Sequence, residues 1–259
     1  GQTSATVPAD KRMYAVRDVT ATVDSIPLIA SSVMSKKLAS FADVILLDVK
    51  YGDGAFMRRP SDAVKLAELM VRIGTAAGRK IGAAVTCMDV PLGDNIGCNA
   101  EVREAIEVLK GKKNALAELS LYHCRKILQM SEGLSQEQAD QKVNRALESG
   151  AALEKLKQIV SAQGGDVRAV DDFSLLPLAP HRLLVCAPRA GKLHISALAL
   201  GKACSQLGGG RAKEGDPIDH TVGILLKRRA GDRVEKGEPI AEIFYRKENK
   251  DAILLAESA

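Results

Sequence analysis

The apolar run Val44 to Val49, closed by the glycine turn Tyr51 to Gly54, constrains the fold more than any other stretch of the chain. A run this short, bounded by a turn signal, reads as a buried strand. A helical repeat then covers about Ser61 to Ala77, and Ile81 to Thr86 reads as the next strand. Strand, turn, helix and strand with a short return make a parallel unit. The fold class is therefore α/β, with a parallel or mixed sheet flanked by helices.

Further helices are predicted over Asn99 to Lys110, Ala115 to Met130 and Ser135 to Glu148. The last opens with Ser135 and Gln138 in capping-box spacing, and Gly150 marks its end. The loop Gln163 to Pro180, with paired glycines, acidic residues and two prolines, is the best candidate boundary, and beyond it the pattern changes to short strands. Gly231 to Ile240 reads as turn, strand and turn. It resembles the folded-over β units of biotinyl and lipoyl carrier domains, but neither M-K-M nor D-K-A occurs, so the region is expected to be a structural, β-rich cap.

At 259 residues and 46% hydrophobic content, the chain has material for one large or two modest cores. No apolar run approaches the roughly 18 residues that span a bilayer, and no basic region followed by an apolar one opens the sequence, so a cytoplasmic protein is expected. Cys87, Cys98, Cys124, Cys186 and Cys204 are an odd, scattered set without a C-x-x-C pair. Reduced, mostly buried thiols are expected, not a zinc site or a disulfide framework. The charge of +5 is mild, and four Phe, four Tyr and no Trp leave little to stack on bases, which argues against nucleic-acid binding.

The candidate site lies between Tyr14 and Lys37. Pro27 suits the first turn of a helix, and Asp24 or Ser25 stands where a cap is needed. At about 100° per residue, Ser25, Ser32 and Lys36 share one stripe beside Leu28 and Ile29. A hydroxyl and an ammonium placed together donate to carbonyl oxygens of a flat, polar ring, and Arg17 adds a planar fork of donors. A surface helix with a solvated lysine has the same pattern. Elsewhere, DVKYGDGAFM lacks the spacing of a phosphate loop and reads as a tight strand-to-helix turn, with Lys50 at the strand's end facing the cleft at the sheet's carboxyl edge. The loop Pro91 to Gly97 with Glu104 offers hard oxygen donors suited to an alkali or alkaline-earth ion, unless Glu104 is a plain helix-surface carboxylate. His123, His181, His194 and His220 show no catalytic or metal spacing.

The Tyr14 to Lys37 segment resembles the base-binding segment of the pyrimidine nucleoside phosphorylase and thymidine phosphorylase family. Similar stretches follow in order: DVKYGDGAFM (48–57), MDVPLGDNIG (88–97), EVREAIEVLKG (101–111) and ESGAALEKLKQIVSAQGGD (148–166), and 208–239 resembles the family's C-terminal domain. The resemblance implies a pentosyltransferase that releases a pyrimidine from its nucleoside with phosphate as co-substrate. Arg17, Ser32 and Lys36 would hold the pyrimidine, with Arg17 and Lys36 catalytic. It implies no organic cofactor, but a potassium ion held by the carbonyls of Leu92 and Asn95 and the side chain of Glu104. Cys98-Asn99-Ala100 departs there from the Asn-Ala-Leu of many relatives. A homodimer is implied, formed through a helical region. The division implied is 1–40, the end of a first α/β segment plus part of a small all-α domain; 41–178, a central α/β domain; and 179–259, a β-rich C-terminal domain. Nothing matches the family's phosphate-holding loops, so the chain is expected to be a C-terminal piece carrying the base-binding half. Two rival expectations are a non-catalytic binding or assembly module and a phosphorylase acting on nucleoside monophosphates.

Overall fold

The computed structural model describes residues 7–19, 22, 25–211, 213 and 216–259, without the side chains of residues 11, 14, 15 and 17–19. The described residues form two compact units, one reaching Met88 and including His123–Ala139, the other made of Asp89–Tyr122 and Asp140–Ala259.

The first unit opens with helices α1 (Pro8–Val19) and α2 (Ile26–Ala39). Pro27 stands in the first turn of α2, as expected. Ser25 takes the N-cap position, yet its side chain makes no cap hydrogen bond. An N-cap oxygen accepts from the second or third helical N–H, and here the second residue is Pro27, which has none. Ser25 contributes its backbone carbonyl instead, accepting from Ile29 N–H at 2.9 Å. Asp24 lies outside the described residues.

Strand β1 (Val44–Tyr51), helix α3 (Pro60–Ala76) and strand β2 (Lys80–Cys87) form the parallel unit, with Val44 opposite Lys80 and Tyr51 opposite Cys87. Ile45, Leu47 and Val49 alternate along β1 and are buried in one cluster with Ile29, Ala30 and Met34 of α2 and Ala63, Leu66 and Met70 of α3. Asp48 and Lys50 fall on the opposite face. The glycine segment is the tight turn expected: Gly52 has φ 113°, and its N–H donates to the Met57 carbonyl at 2.9 Å.

In the second unit the short strand β3 (Asn95–Ile96) leads into helix α4 (Cys98–Leu109). Helices α5 (Ala115–Glu132) and α6 (Gln136–Glu148) each have residues in both units. The capping box of α6 forms: Gln138 N–H donates to Ser135 Oγ at 3.2 Å, and Ser135 N–H donates to Gln138 Oε1 at 2.9 Å. Gly150, at φ 76°, follows α6 and directly caps a further helix, α7 (Ala151–Ala162).

The remaining elements are β4 (His181–Cys186), β5 (Gly191–Lys192), α8 (Ala197–Cys204), β6 (Gly223–Leu226), β7 (Arg233–Val234), β8 (Pro239–Tyr245) and α9 (Lys250–Ser258). Antiparallel pairing orders one sheet β3-β6-β8-β4 and joins β5 to β7 in a small ladder. Val222, Ile224 and Ile243 are fully buried, packed with Leu200 and Ala203 of α8 and Ala252 of α9. The expected short strands are present, accompanied by two helices that their small size hides in the sequence.

One expectation is corrected. Cys87, Cys124 and Cys186 are exposed, Cys98 is partly so, and only Cys204 is buried. Cys87 and Cys186 are the last residues of β2 and β4, where strands leave cover. Burial pushes the Cys204 thiol up to about 11, helped by the charge of Glu101 and by Cys98. No helix among the described residues is long and apolar enough to cross a membrane.

Candidate active site

Ser32 and Lys36 lie one turn apart on α2, so their side chains share a face. Lys36 Nζ donates to Ser32 Oγ at 2.8 Å and to Asp10 Oδ2 at 2.7 Å. Ser32 and Asp10 are buried, whereas the Lys36 side chain is 34% exposed. Lys36 is therefore partly solvated but held by two partners. An ammonium carries three donors, and the third has no partner among the described residues. Asp10 stands in the first turn of α1, where the helix end favours a negative charge. The sequence pattern gave the Ser32–Lys36 pair and missed Asp10, whose one local signal is an acidic residue just inside a proline-started helix. Arg17 belongs to α1 by its backbone, and its side chain lies outside the described residues.

Glu104, on α4, is 1% exposed, which removes the helix-surface alternative. Its Oε1 accepts from Asp94 N–H at 2.8 Å and from Asn114 Nδ2 at 2.7 Å, and its Oε2 accepts from Asn95 N–H at 3.0 Å. The carboxylate packs so closely on Gly93 that a Cβ there would stand 2.3 Å from Oε2. Ala100, Glu104 and Val108 are all buried at successive four-residue steps along α4, a spacing that foretells the burial of Glu104. Around it, Asp94 Oδ1 lies 2.5 Å from Arg229 Nη2, and Lys112 Nζ lies 2.9 Å from Glu107 Oε2. Burial works against the Lys112 charge, but the hydrogen bond from Glu107 and the charges of Glu107, Glu104 and Asp94 outweigh it and raise the amine above its ordinary value.

The donor set tests the implied potassium ion. Leu226 N–H donates to the Asp94 carbonyl at 2.7 Å, and Asn95 faces Leu225. Antiparallel alternation therefore turns both the amide and the carbonyl of Asn95 away from β6, and the amide meets Glu104 there. A carboxylate has about four lone-pair positions, of which three receive N–H groups. One carboxylate charge and a carbonyl turned to the same side, with Leu92 earlier in the same loop, suit a weakly held monovalent cation. Among the described residues no group of three or more His, Cys, Asp or Glu is placed to hold a metal.

Lys50 is engaged on the sheet face: its Nζ is 2.8 Å from Asp48 Oδ2 and donates to Thr86 Oγ1 at 2.9 Å. His123 Nε2 lies 3.8 Å from Asp48 Oδ2. His181 stacks at 5.4 Å on Tyr245, across the β4–β8 pair.

Residues 1–153 match the family profile described as the glycosyl transferase family a/b domain, and residues 193–258 match the pyrimidine nucleoside phosphorylase C-terminal domain. The pyrimidine-nucleoside phosphorylase of Bacillus subtilis (strain 168) is 46% identical over 257 residues, and that of Staphylococcus haemolyticus (strain JCSC1435) is 45% identical over 257. That of Geobacillus stearothermophilus is 45% identical over 256 residues. Each alignment takes in 98% of this chain and 59% of the relative. The chain belongs to the pyrimidine nucleoside phosphorylase family of glycosyl transferases. It spans 59% of the length of these curated relatives.

Proposed function

We propose that the chain forms the base-holding side of a pyrimidine nucleoside phosphorylase. An oxygen of inorganic phosphate bonds to the anomeric carbon of a pyrimidine nucleoside while the bond from that carbon to the ring nitrogen breaks. The bonding pair leaves with the base, which ends with the proton that the phosphate gives up, and the sugar departs as (deoxy)ribose 1-phosphate.

The observation that carries this reading is the Lys36 ammonium, tied to Ser32 and Asp10 yet one-third exposed, in the stretch matched to the glycosyl transferase domain. Negative charge grows on the departing pyrimidine and spreads to its ring oxygens. A fixed ammonium stabilises that charge more than it stabilises the neutral nucleoside, which is the condition for accelerating the step. The Ser32 hydroxyl accepts from Lys36 and keeps its own proton for a base carbonyl. Arg17 is assigned a second cationic contact, so Arg17, Ser32 and Lys36 hold the base while Arg17 and Lys36 assist its departure. Leu92, Asn95 and Glu104 would hold potassium, which would supply a fixed charge that stiffens the loop 91–97. Phosphate is the co-substrate and no organic cofactor takes part. The reading extends to the division 1–40, 41–178 and 179–259, to a homodimer and to a cytoplasmic location.

The test is release of uracil or thymine from uridine or thymidine, by this chain and by the protein at its full natural length, with and without phosphate. Phosphate-dependent release with formation of the sugar 1-phosphate supports the reading. Release at the same rate without phosphate, or none at full length, overturns it. Lys36→Ala in a folded protein is expected to lower kcat/KM by about 100-fold, the scale of losing one preorganised donor.

A further inference from the structure

We infer that Asp10 is a positioning residue for phosphorolysis, fixing the Lys36 ammonium in the direction from which it meets the departing base. The inference rests on the base-binding reading of Lys36.

A lysine ammonium sits on a flexible four-carbon stem and has no direction of its own. Two anchors supply one. Ser32, one turn back on α2, accepts one N–H at 2.8 Å, and Asp10, on α1, accepts another at 2.7 Å. With two of three tetrahedral donors fixed, the third is aimed without further freedom. The ordering is then complete before substrate arrives, which is how preorganised sites lower a barrier. Asp10 is only 5% exposed. A carboxylate this far from water requires a counter-charge, so the ammonium is held from the carboxylate's side as firmly as from its own. The opposing possibility is that Asp10 merely ties α1 to α2. The two differ in one respect: a structural tie has no reason to care how readily the base leaves.

The experiment measures kcat and KM at full natural length for Asp10→Asn, Asp10→Glu, Lys36→Ala and the double variant Asp10→Asn/Lys36→Ala, using uridine and 5-fluorouridine, whose base departs more easily. Thermal unfolding confirms that each variant is folded. Asp10→Asn is expected to lower kcat for uridine about 10-fold or more, with the KM for phosphate unchanged. Asp10→Glu, which keeps the charge on a longer stem, should fall between Asn and wild type. The loss should shrink with 5-fluorouridine, because a better leaving group needs less help. In the Lys36→Ala background, Asp10→Asn should cost nothing further, since Asp10 acts through Lys36. If Asp10→Asn does not fold, the leaving-group comparison is read on Asp10→Glu, whose slowing must likewise shrink with 5-fluorouridine.

A wild-type kcat in folded Asp10→Asn overturns the inference, as does an equal loss with both nucleosides or an undiminished loss when Lys36 is absent. Lys36→Ala at the wild-type rate instead overturns the base-binding reading itself, so the two failures are told apart by which single variant is silent.

Discussion

Lys36 and Glu104 are both charged side chains in stretches that resemble one family, and they come to rest in opposite states. Lys36 keeps 34% of its side chain exposed and has two of its three donors tied. Glu104 is 1% exposed and receives three N–H groups from Asp94, Asn95 and Asn114. Under the proposed function, a charge with a spare donor at a partly exposed position is the one that meets the ligand. A charge buried inside its own unit with three of about four lone pairs filled is built first to hold a turn, and an ion reaching it finds one lone pair in an already ordered setting. Each keeps one open hydrogen-bonding position, so access to solvent, 34% against 1%, more than charge separates the two settings.

The sharpest way to break that contrast is Glu104→Ala. It strands the Asp94 and Asn95 amides in a part-buried turn, leaves Asn114 Nδ2 only its longer 3.3 Å bond to Asp94, and takes a neighbouring negative charge from Lys112. Stranded buried donors and a broken charge network together cost about 3–5 kcal/mol. Denaturant unfolding of the variant measures it. A loss under about 1 kcal/mol, the range of ordinary surface substitutions, would place Glu104 among peripheral carboxylates and end the comparison.

Lys36→Ala should behave in the reverse sense. Removing the ammonium leaves Asp10 buried without this counter-charge, but Lys36 is partly solvated, so the expected loss of stability is smaller, about 1–2 kcal/mol. The catalytic loss, in contrast, should be the larger of the two variants. Denaturant midpoints and phosphorolysis rates on the same preparations decide it. If Lys36→Ala unfolds the protein as thoroughly as Glu104→Ala, the two sites are of one kind.

How much of this was legible in the sequence depends on the range of the interactions. The strand run of β1, the repeat of α3 and the Ser135–Gln138 box are local and were readable. So was the Ser32–Lys36 pair, because four residues make one helical turn. Asp10 lies 26 residues from Lys36, and no local rule joins them. The burial of Glu104 was encoded in the four-residue spacing Ala100, Glu104, Val108, but an acidic residue on a helix reads first as exposed. Helices α8 and α9, of eight and nine residues, are too short to stand on their own periodicity and are secured by packing on the sheet that contains β6 and β8.

Glu242 on β8 asks whether burial against opposite charges alone, outside any motif tied to the proposed chemistry, produces the Glu104 behaviour. Its side chain is 8% exposed, with Lys227 Nζ 2.8 Å from Oε1 and a hydrogen bond from Arg182 to the same oxygen. Burial by itself would raise its carboxyl, but the hydrogen bonds and charges of Lys227 and Arg182 more than offset that and hold it below the ordinary value of 4.5. A folded-state value below the unfolded one means that the unfolded chain binds the proton more readily. The stabilisation is therefore fully present above about pH 5 and drains away as the pH falls below 4.5 through the lower folded value. Glu242→Gln should cost about 1 kcal/mol at pH 7, discounted for the exposure of both cations, and progressively less toward pH 3. Unfolding free energies of wild type and variant across that range should converge on the acid side. Parallel curves would mean that the cluster adds no pH-linked stability, and a buried carboxylate would then be a matter of packing more than of charge, at Glu242 and by extension at Glu104.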